Sequence, residues 1–164
     1  MRPHDVVVLL KIICLADTPW LNKDLAKQLY LSPSEITESL NRSKIALLVT
    51  QNKKKVMRQS LLEFLQSGIQ YVFPVEIGAV KRGFATAHSA MPLKESFSST
   101  ETYVWAHPKG TERGHTIPPL YSGAIQASLE DIALYQMLSL VDAIRIGKTR
   151  EKELAYQELK ARIL

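Results

Sequence analysis

The tetrad Ser32-Pro33-Ser34-Glu35 constrains this chain more than any other stretch, because it dictates where one helix must begin. Ser32 can cap the helix, Pro33 suits the first helical position, where no amide donor is needed, and Glu35 can fold back onto the Ser32 amide. Upstream, Leu25, Ala26 and Leu29 line one side of a short amphipathic segment, with Leu31 in the turn. Downstream, Ile36, Leu40 and Leu47 recur as one buried face of a helix. Two short helices that meet at a polar break, with a small residue where they cross, make a helix-turn-helix. The spacing predicts the first over roughly Lys23 to Tyr30, capped by Asn22, and the second over roughly Pro33 to Leu47.

Around this unit the chain divides unevenly. His4 to Ala16 reads as a helix apolar on most sides, which must be buried centrally or shared with a second chain. Its β-branched residues make it a poor isolated helix, so packing has to hold it. Residues 48–57, LVTQNKKKVM, have the composition of a short strand and polar turn, a small wing or a basic loop. Arg58 to Gln66 returns to helical spacing and stops at Ser67-Gly68. Ile69, Tyr71, Phe73 and Val75 alternate with polar or small neighbours, the period of a half-buried strand that Pro74 either confines to an edge or ends.

Residues 76–121 lack helical periodicity and hold four of the seven glycines, four of the eight prolines and three of the four histidines. Phe84, Phe97, Tyr103, Trp105 and Tyr121 are too many apolar anchors for a disordered linker. We expect an ordered, irregular segment wrapped over the helical part, with a short strand at Tyr103 to Trp105 and an extended Ile117 to Tyr121. Regularity resumes in a helix from Glu130 to Ile146, stopped by Gly147, and in a last helix capped by Thr149 with Glu151 and Glu153 in its first turn.

Charge and cysteine content narrow the class. Residues 1–73 hold ten Lys/Arg against six Asp/Glu, whereas residues 124–164 hold six of each. The basic excess therefore coincides with the helix-turn-helix, as expected of a nucleic-acid binder. No apolar run approaches the ~18 residues of a membrane span. Asp5, Lys11 and Asp17 interrupt the signal-like N-terminus, and no small-residue cleavage site follows. The single cysteine, Cys14, cannot form an internal disulfide, so we expect a reducing cytoplasm and, with nucleic-acid binding, association with the nucleoid.

With the buried stripe facing inward, Ser34, Thr37, Glu38 and Asn41 share the outer side of the second helix at i, i+3, i+4 and i+7 spacing. A helix lying in a major groove presents such residues to base edges, where Asn41 can bond adenine bidentately and Glu38 can accept from cytosine. Arg42, Lys44, Lys53, Lys54, Lys55 and Arg58 are the candidates for phosphate neutralisation.

The pattern LAKQLYLSPSEITESLNR resembles the helix-turn-helix of bacterial winged-helix transcription regulators. The likeness is strongest over residues 22–48 and extends to roughly the first 75 residues. Leu25, Ala26, Leu29, Leu31, Ser32, Ile36 and Leu40 stand where that family keeps its structural residues. Tyr30 departs from it, at a turn position usually held by glycine, and so do Glu35 and Glu38, acids close to a phosphate surface. The resemblance implies a winged helix-turn-helix N-terminal domain (1–75); with the periodicities above, the expected fold is mainly α, the rest being an irregular middle segment with short strands and a C-terminal helical pair (76–164) for packing or dimerisation. It implies sequence-specific binding of double-stranded DNA by a transcriptional regulator acting as a homodimer. The alternative is a helix-turn-helix adaptor making protein–protein contacts within a larger DNA-acting or defence assembly.

Other chemistry finds little support in the residues. His88, His107 and His115 lack the spacing of a zinc site. His88-Ser89 has no identifiable acid partner, so neither an enzyme nor a cofactor is expected. Lys81-Arg82-Gly83 and Glu112-Arg113-Gly114 each place an arginine before a glycine, an arrangement able to cradle an anion or a DNA backbone, or simply to form a surface turn.

Overall fold

A computed structural model describes the whole chain, Met1–Leu164. Its elements run α1 (Pro3–Cys14), α2 (Asn22–Leu29), α3 (Pro33–Ile45), α4 (Arg58–Ser67), α5 (Ile69–Val72), β1 (Val80–Ala85), β2 (Tyr103–Ala106), β3 (Glu112–Thr116), α6 (Ala124–Glu130), α7 (Ile132–Ile146) and α8 (Thr149–Ile163). The fold is mainly α with one small sheet. No helix is long and apolar enough to cross a membrane.

The apolar α1 is the axis of the core. Val6 to Leu10 are completely buried, and α2, α3 and α7 of the same chain pack around them. Each such side chain contributes roughly 1.5–3 kcal/mol on leaving water. The burial that an apolar helix demands is thus supplied within one chain. A single cluster of 35 buried residues continues from α1 through α4, β2, α7 and α8, joining both parts of the sequence.

A buried cation of α1 finds its partner at the start of α7. Lys11 of α1, though buried, donates to the Asp131 carboxylate at 2.6 Å. Asp131 also accepts from the Leu134 amide (3.1 Å) and so caps α7. The helix predicted from Glu130 to Ile146 is α7, which starts at Ile132 with Asp131 as its cap, while Glu130 ends a further helix, α6, that the spacing did not predict. Thr149 is likewise the first residue of α8 rather than its cap, which is Lys148.

Residues 69–75 do not form the expected strand. Ile69–Val72 make one helical turn, and only Ile69 of the alternating set is buried, while Tyr71 is exposed. A strand needs a partner for its amides, whereas here the Tyr71 amide donates to Gly68 and the Phe73 amide to Ile69.

The middle segment is ordered around three strands that close on themselves. β1 is antiparallel to β2, with Phe84 opposite Trp105, and antiparallel to β3, with Arg82 opposite Arg113. β2 and β3 meet in parallel at Tyr103/His115 and Val104/Thr116. Asp142, fully buried on α7, fastens this sheet to the helices. It accepts from Thr86 Oγ1 (2.7 Å), Trp105 Nε1 (2.8 Å) and Arg145 Nη1 (2.9 Å). Arg145 Nε in turn donates to the Phe73 carbonyl at 2.9 Å. The Tyr135 hydroxyl donates to the Ala85 carbonyl, and its ring meets Trp105 edge-on at 5.5 Å.

Candidate nucleic-acid interface

The start of α3 follows from its cap. Ser32 Oγ accepts from the Glu35 amide (3.1 Å), and Glu35 Oε2 accepts from the Ser32 amide (3.0 Å). That amide holds the Glu35 carboxyl below its ordinary pKa. Asn22 is not the cap of α2; it is the first helical residue, and Asp24 accepts from the Leu21 amide instead.

Both helix ends nearby use a non-glycine residue in the left-handed region. After α2, Tyr30 has φ 56° and the Leu31 amide reaches back to the Ala26 carbonyl. After α3, Leu47 has φ 59°, its amide donates to Lys44, and the Leu48 amide donates to Ser43. This is the Schellman closure. It corrects the position of Leu47, expected in the buried stripe but 67% exposed. The helix ends at Ile45, and the left-handed residue redirects the chain so that Leu48 and Val49 enter the core.

The inward face of α3 consists of Ile36, Ser39, Leu40 and Ser43. Ser34, Thr37 and Glu38 are consequently exposed, while Asn41 and Lys44 are half-buried at the rim. Thr37 Oγ1 donates to the Pro33 carbonyl (3.1 Å) and accepts from Asn22 Nδ2 (3.0 Å), which ties the face of α3 to α2.

Residues 48–57 form a tight hairpin. Val49 bridges Val56, the Thr50 amide donates to Lys55 and the Met57 amide to Leu48. Lys53, at φ 58° in its turn, donates through Nζ to Asn41 Oδ1 and so joins the hairpin tip to α3. Lys54 Nζ stands 4.7 Å from the centre of the Trp20 ring, a cation–π contact worth ~0.5–1 kcal/mol at such a site. Lys55 is exposed. Between hairpin and helices lies a cleft of about 140 Å³ lined by Trp20, Asn22, Thr37, Leu40, Asn52, Lys53 and Lys54.

The two arginines among the predicted phosphate-neutralising residues also hold elements together in the free protein. Arg42 forms a forked pair with the fully buried Asp5 of α1, Nε to Oδ2 at 2.9 Å and Nη2 to Oδ1 at 2.7 Å. Burial raises the Asp5 carboxyl, but hydrogen bonds from Arg42 and from the Arg2 amide outweigh it and leave the pKa below its ordinary value. Arg58 Nη1 donates to the Ile163 carbonyl (2.5 Å) in the last turn of α8, where the helix dipole favours a cation. Ser34, Thr37, Glu38 and Asn41 thus lie along the outer side of α3, which Lys53 and Lys54 of the hairpin meet, while Lys54 and Lys55 also border a second cleft with Trp20 and Arg58.

Asp5 and Trp20 escape a reading of the residues alone, although Asp5 leaves a signal. A lone acid in a fully apolar helix must have a cation somewhere, and only the fold shows that it is Arg42. Tyr121 is a third such residue. Its hydroxyl donates to the Leu29 carbonyl (2.6 Å), closing the end of α2, while Tyr30 donates to Glu130 of α6. The segment after β3 thus supports the turn before α3.

The histidines are scattered against aromatic rings. His88 meets Tyr103 and Phe97 edge-on, His107 lies 5.1 Å from Phe84, and His115 lies near Tyr103. Burial lowers the His88 pKa. No three His, Cys, Asp or Glu side chains gather as a metal would require.

No protein-family model, curated protein or solved structure matches this chain.

Proposed function

We propose that α2, α3 and the 48–57 hairpin constitute a winged-helix-type unit that binds duplex DNA sequence-specifically, as a transcriptional regulator does. The observation that carries this reading is the shared surface of α3 and the hairpin. Polar side chains able to reach base edges lie along the outer side of a capped helix, and the adjoining hairpin carries three consecutive lysines, of which Lys53 reaches Asn41 and Lys54 and Lys55 are exposed. α3 would enter the major groove, with Ser34 and Thr37 near the bases or the adjoining phosphates. Asn41 would bond adenine through both amide atoms, which requires Lys53 to leave Asn41 Oδ1 and move to a phosphate. Lys44, Lys54 and Lys55 supply the salt-dependent part of the affinity. In this reading the protein acts as a homodimer whose half-sites lie one helical turn apart.

Selection of bound fragments from random duplex DNA, followed by titration of the selected site, tests the proposal. Asn41→Ala should relax preference at one base pair, a loss of roughly 1–3 kcal/mol in discrimination. Replacing Lys53, Lys54 and Lys55 with Gln should weaken all duplexes alike and flatten the salt slope. Absence of duplex binding at low salt would reject the reading.

One observation favours a second reading, the protein-binding adaptor. Ile45 at the end of α3 is 83% exposed, with Leu47 and Met57 also exposed nearby in sequence. An adaptor would bind a partner through these apolar side chains and leave duplex DNA untouched.

A further inference from the structure

The two Arg-Gly pairs of the middle segment, thirty-one residues apart, are brought face to face by the sheet. Gly83 and Gly114 mark where the strands close. A Cβ on Gly83 would lie 2.0 Å from the Trp105 carbonyl oxygen, and one on Gly114 would lie 2.4 Å from that of Thr102. This approach fixes the register that sets Arg82 directly opposite Arg113. Opposed residues of an antiparallel pair have Cα atoms about 4.5–5.5 Å apart and send their side chains to the same face. Like charges in that relation are destabilising.

Nothing within the chain relieves the repulsion. Both arginines are exposed, and neither makes an ion pair. Glu112, the one acid of these strands, stands opposite Gly83 and so leaves the other face; its carboxylate lies 3.9 Å from Lys94. Lys81 and Lys109 are also exposed and without acidic partners. The cations around α3 differ, because Arg42, Lys53 and Lys54 each have a partner in the free protein.

We propose that the β1–β3 ribbon binds the phosphate backbone of duplex DNA through Arg82 and Arg113, as a second contact surface separate from α3. Two guanidinium forks on one face offer bidentate donors to phosphate oxygens, and an anion between them removes their mutual repulsion. The aromatic side chains of the strands cannot serve as a stacking platform for single strands. Trp105 and Tyr103 are buried, and the His107 ring lies against Phe84. The surface therefore reads backbone rather than bases. Packing runs from α3 to α1, from α1 to α7, and from α7 to the sheet through Asp142. With two basic surfaces built from separate elements, one molecule can hold two duplex segments. The paired arginines do not depend on α3, but the choice of duplex DNA as their polyanion rests on the DNA-binding reading proposed above.

The test uses the full chain and a fluorescein-labelled duplex of random sequence. An α3-face variant (N41A with K53Q, K54Q and K55Q) should retain low-salt binding. Adding R82Q and R113Q should lower that binding roughly tenfold and reduce the salt slope by about two, one unit for each phosphate no longer neutralised. R82K/R113K should preserve the slope. Beads carrying one duplex should capture a second through the wild-type protein and fail to do so through R82Q/R113Q. The melting temperature of R82Q/R113Q should equal or exceed that of wild type, since an unfavourable pair is gone. Equal affinity and slope with and without R82Q/R113Q would overturn the proposal, as would a marked fall in melting temperature. Binding of polyglutamate at these arginines that duplex does not displace would also overturn it, in favour of an acidic protein partner. Loss of duplex binding confined to the α3-face variant rejects the ribbon contact and leaves α3 standing; loss confined to R82Q/R113Q does the reverse.

Discussion

The α2–α3 region and the three-stranded sheet are built from interactions of different range. Around α3 the decisive bonds are short in sequence: Ser32 with Glu35, the Leu48 amide with Ser43, the Met57 amide with Leu48. In the sheet the decisive bonds span 37 to 56 residues, from Trp105 and Thr86 to Asp142 and from Tyr135 to Ala85. The bonds that start and stop the helices of the first region therefore join neighbours in sequence. Those that fix the sheet reach across to α7. The difference extends to charge, since most cations near α3 rest on partners whereas Arg82 and Arg113 face each other without one.

The largest test of this contrast is Gly83→Ala. Its Cβ would collide with the backbone of β2, so the sheet must open, at a cost of about 4 kcal/mol or more by urea denaturation. An unchanged midpoint would mean that the strands do not close as described. Asp142→Asn comes next, at about 3 kcal/mol. The amide cannot accept from Arg145 on one side and from Thr86 and Trp105 on the other without presenting a donor to a donor.

Asp5→Asn probes the α3 side and should cost about 2 kcal/mol by removing the forked acceptor of Arg42. Because the Asp5 pKa is lowered in the folded protein, its contribution is fully present above the ordinary carboxylate value and is lost as pH falls through the lowered one. Melting temperatures of wild type and variant, measured against pH, should therefore converge in acid and separate near neutrality. Leu47→Gly should act in the opposite sense and stabilise by roughly 0.5–1 kcal/mol, because glycine adopts φ 59° without strain and the replaced side chain is exposed. A destabilised Leu47→Gly would show that this side chain packs against something.

The same difference in range explains what could be read from the residues alone. The Ser32–Glu35 cap, the helix from Arg58, the strand at Tyr103 and the stop at Gly147 are all local signals, and each is found in the structure. Ile69 to Val75 misled because alternation describes a strand only when another strand lies beside it, and none does. Leu47 misled because helical spacing says which residues share a face but not where the helix stops. Arg42 is on α3 as expected, yet its guanidinium turns to Asp5, a choice made by the crossing of α3 on α1. For the sheet, the two Arg-Gly pairs were visible, but their register was not, because it depends on backbone contact between strands far apart in sequence.

By itself the sequence determined the capped α3, the helix before it, the apolar α1 that had to be buried and the basic bias of the first 73 residues. These follow from caps, periodicity and charge, which act within a few residues of where they are written. Tertiary structure alone decided that α1 is enclosed by its own chain, that Tyr121 closes α2, that Asp142 ties the sheet to α7 and that Arg82 stands opposite Arg113. Each of those outcomes joins groups distant along the chain, and such pairings are set by how the buried surfaces fit together rather than by any neighbouring residue.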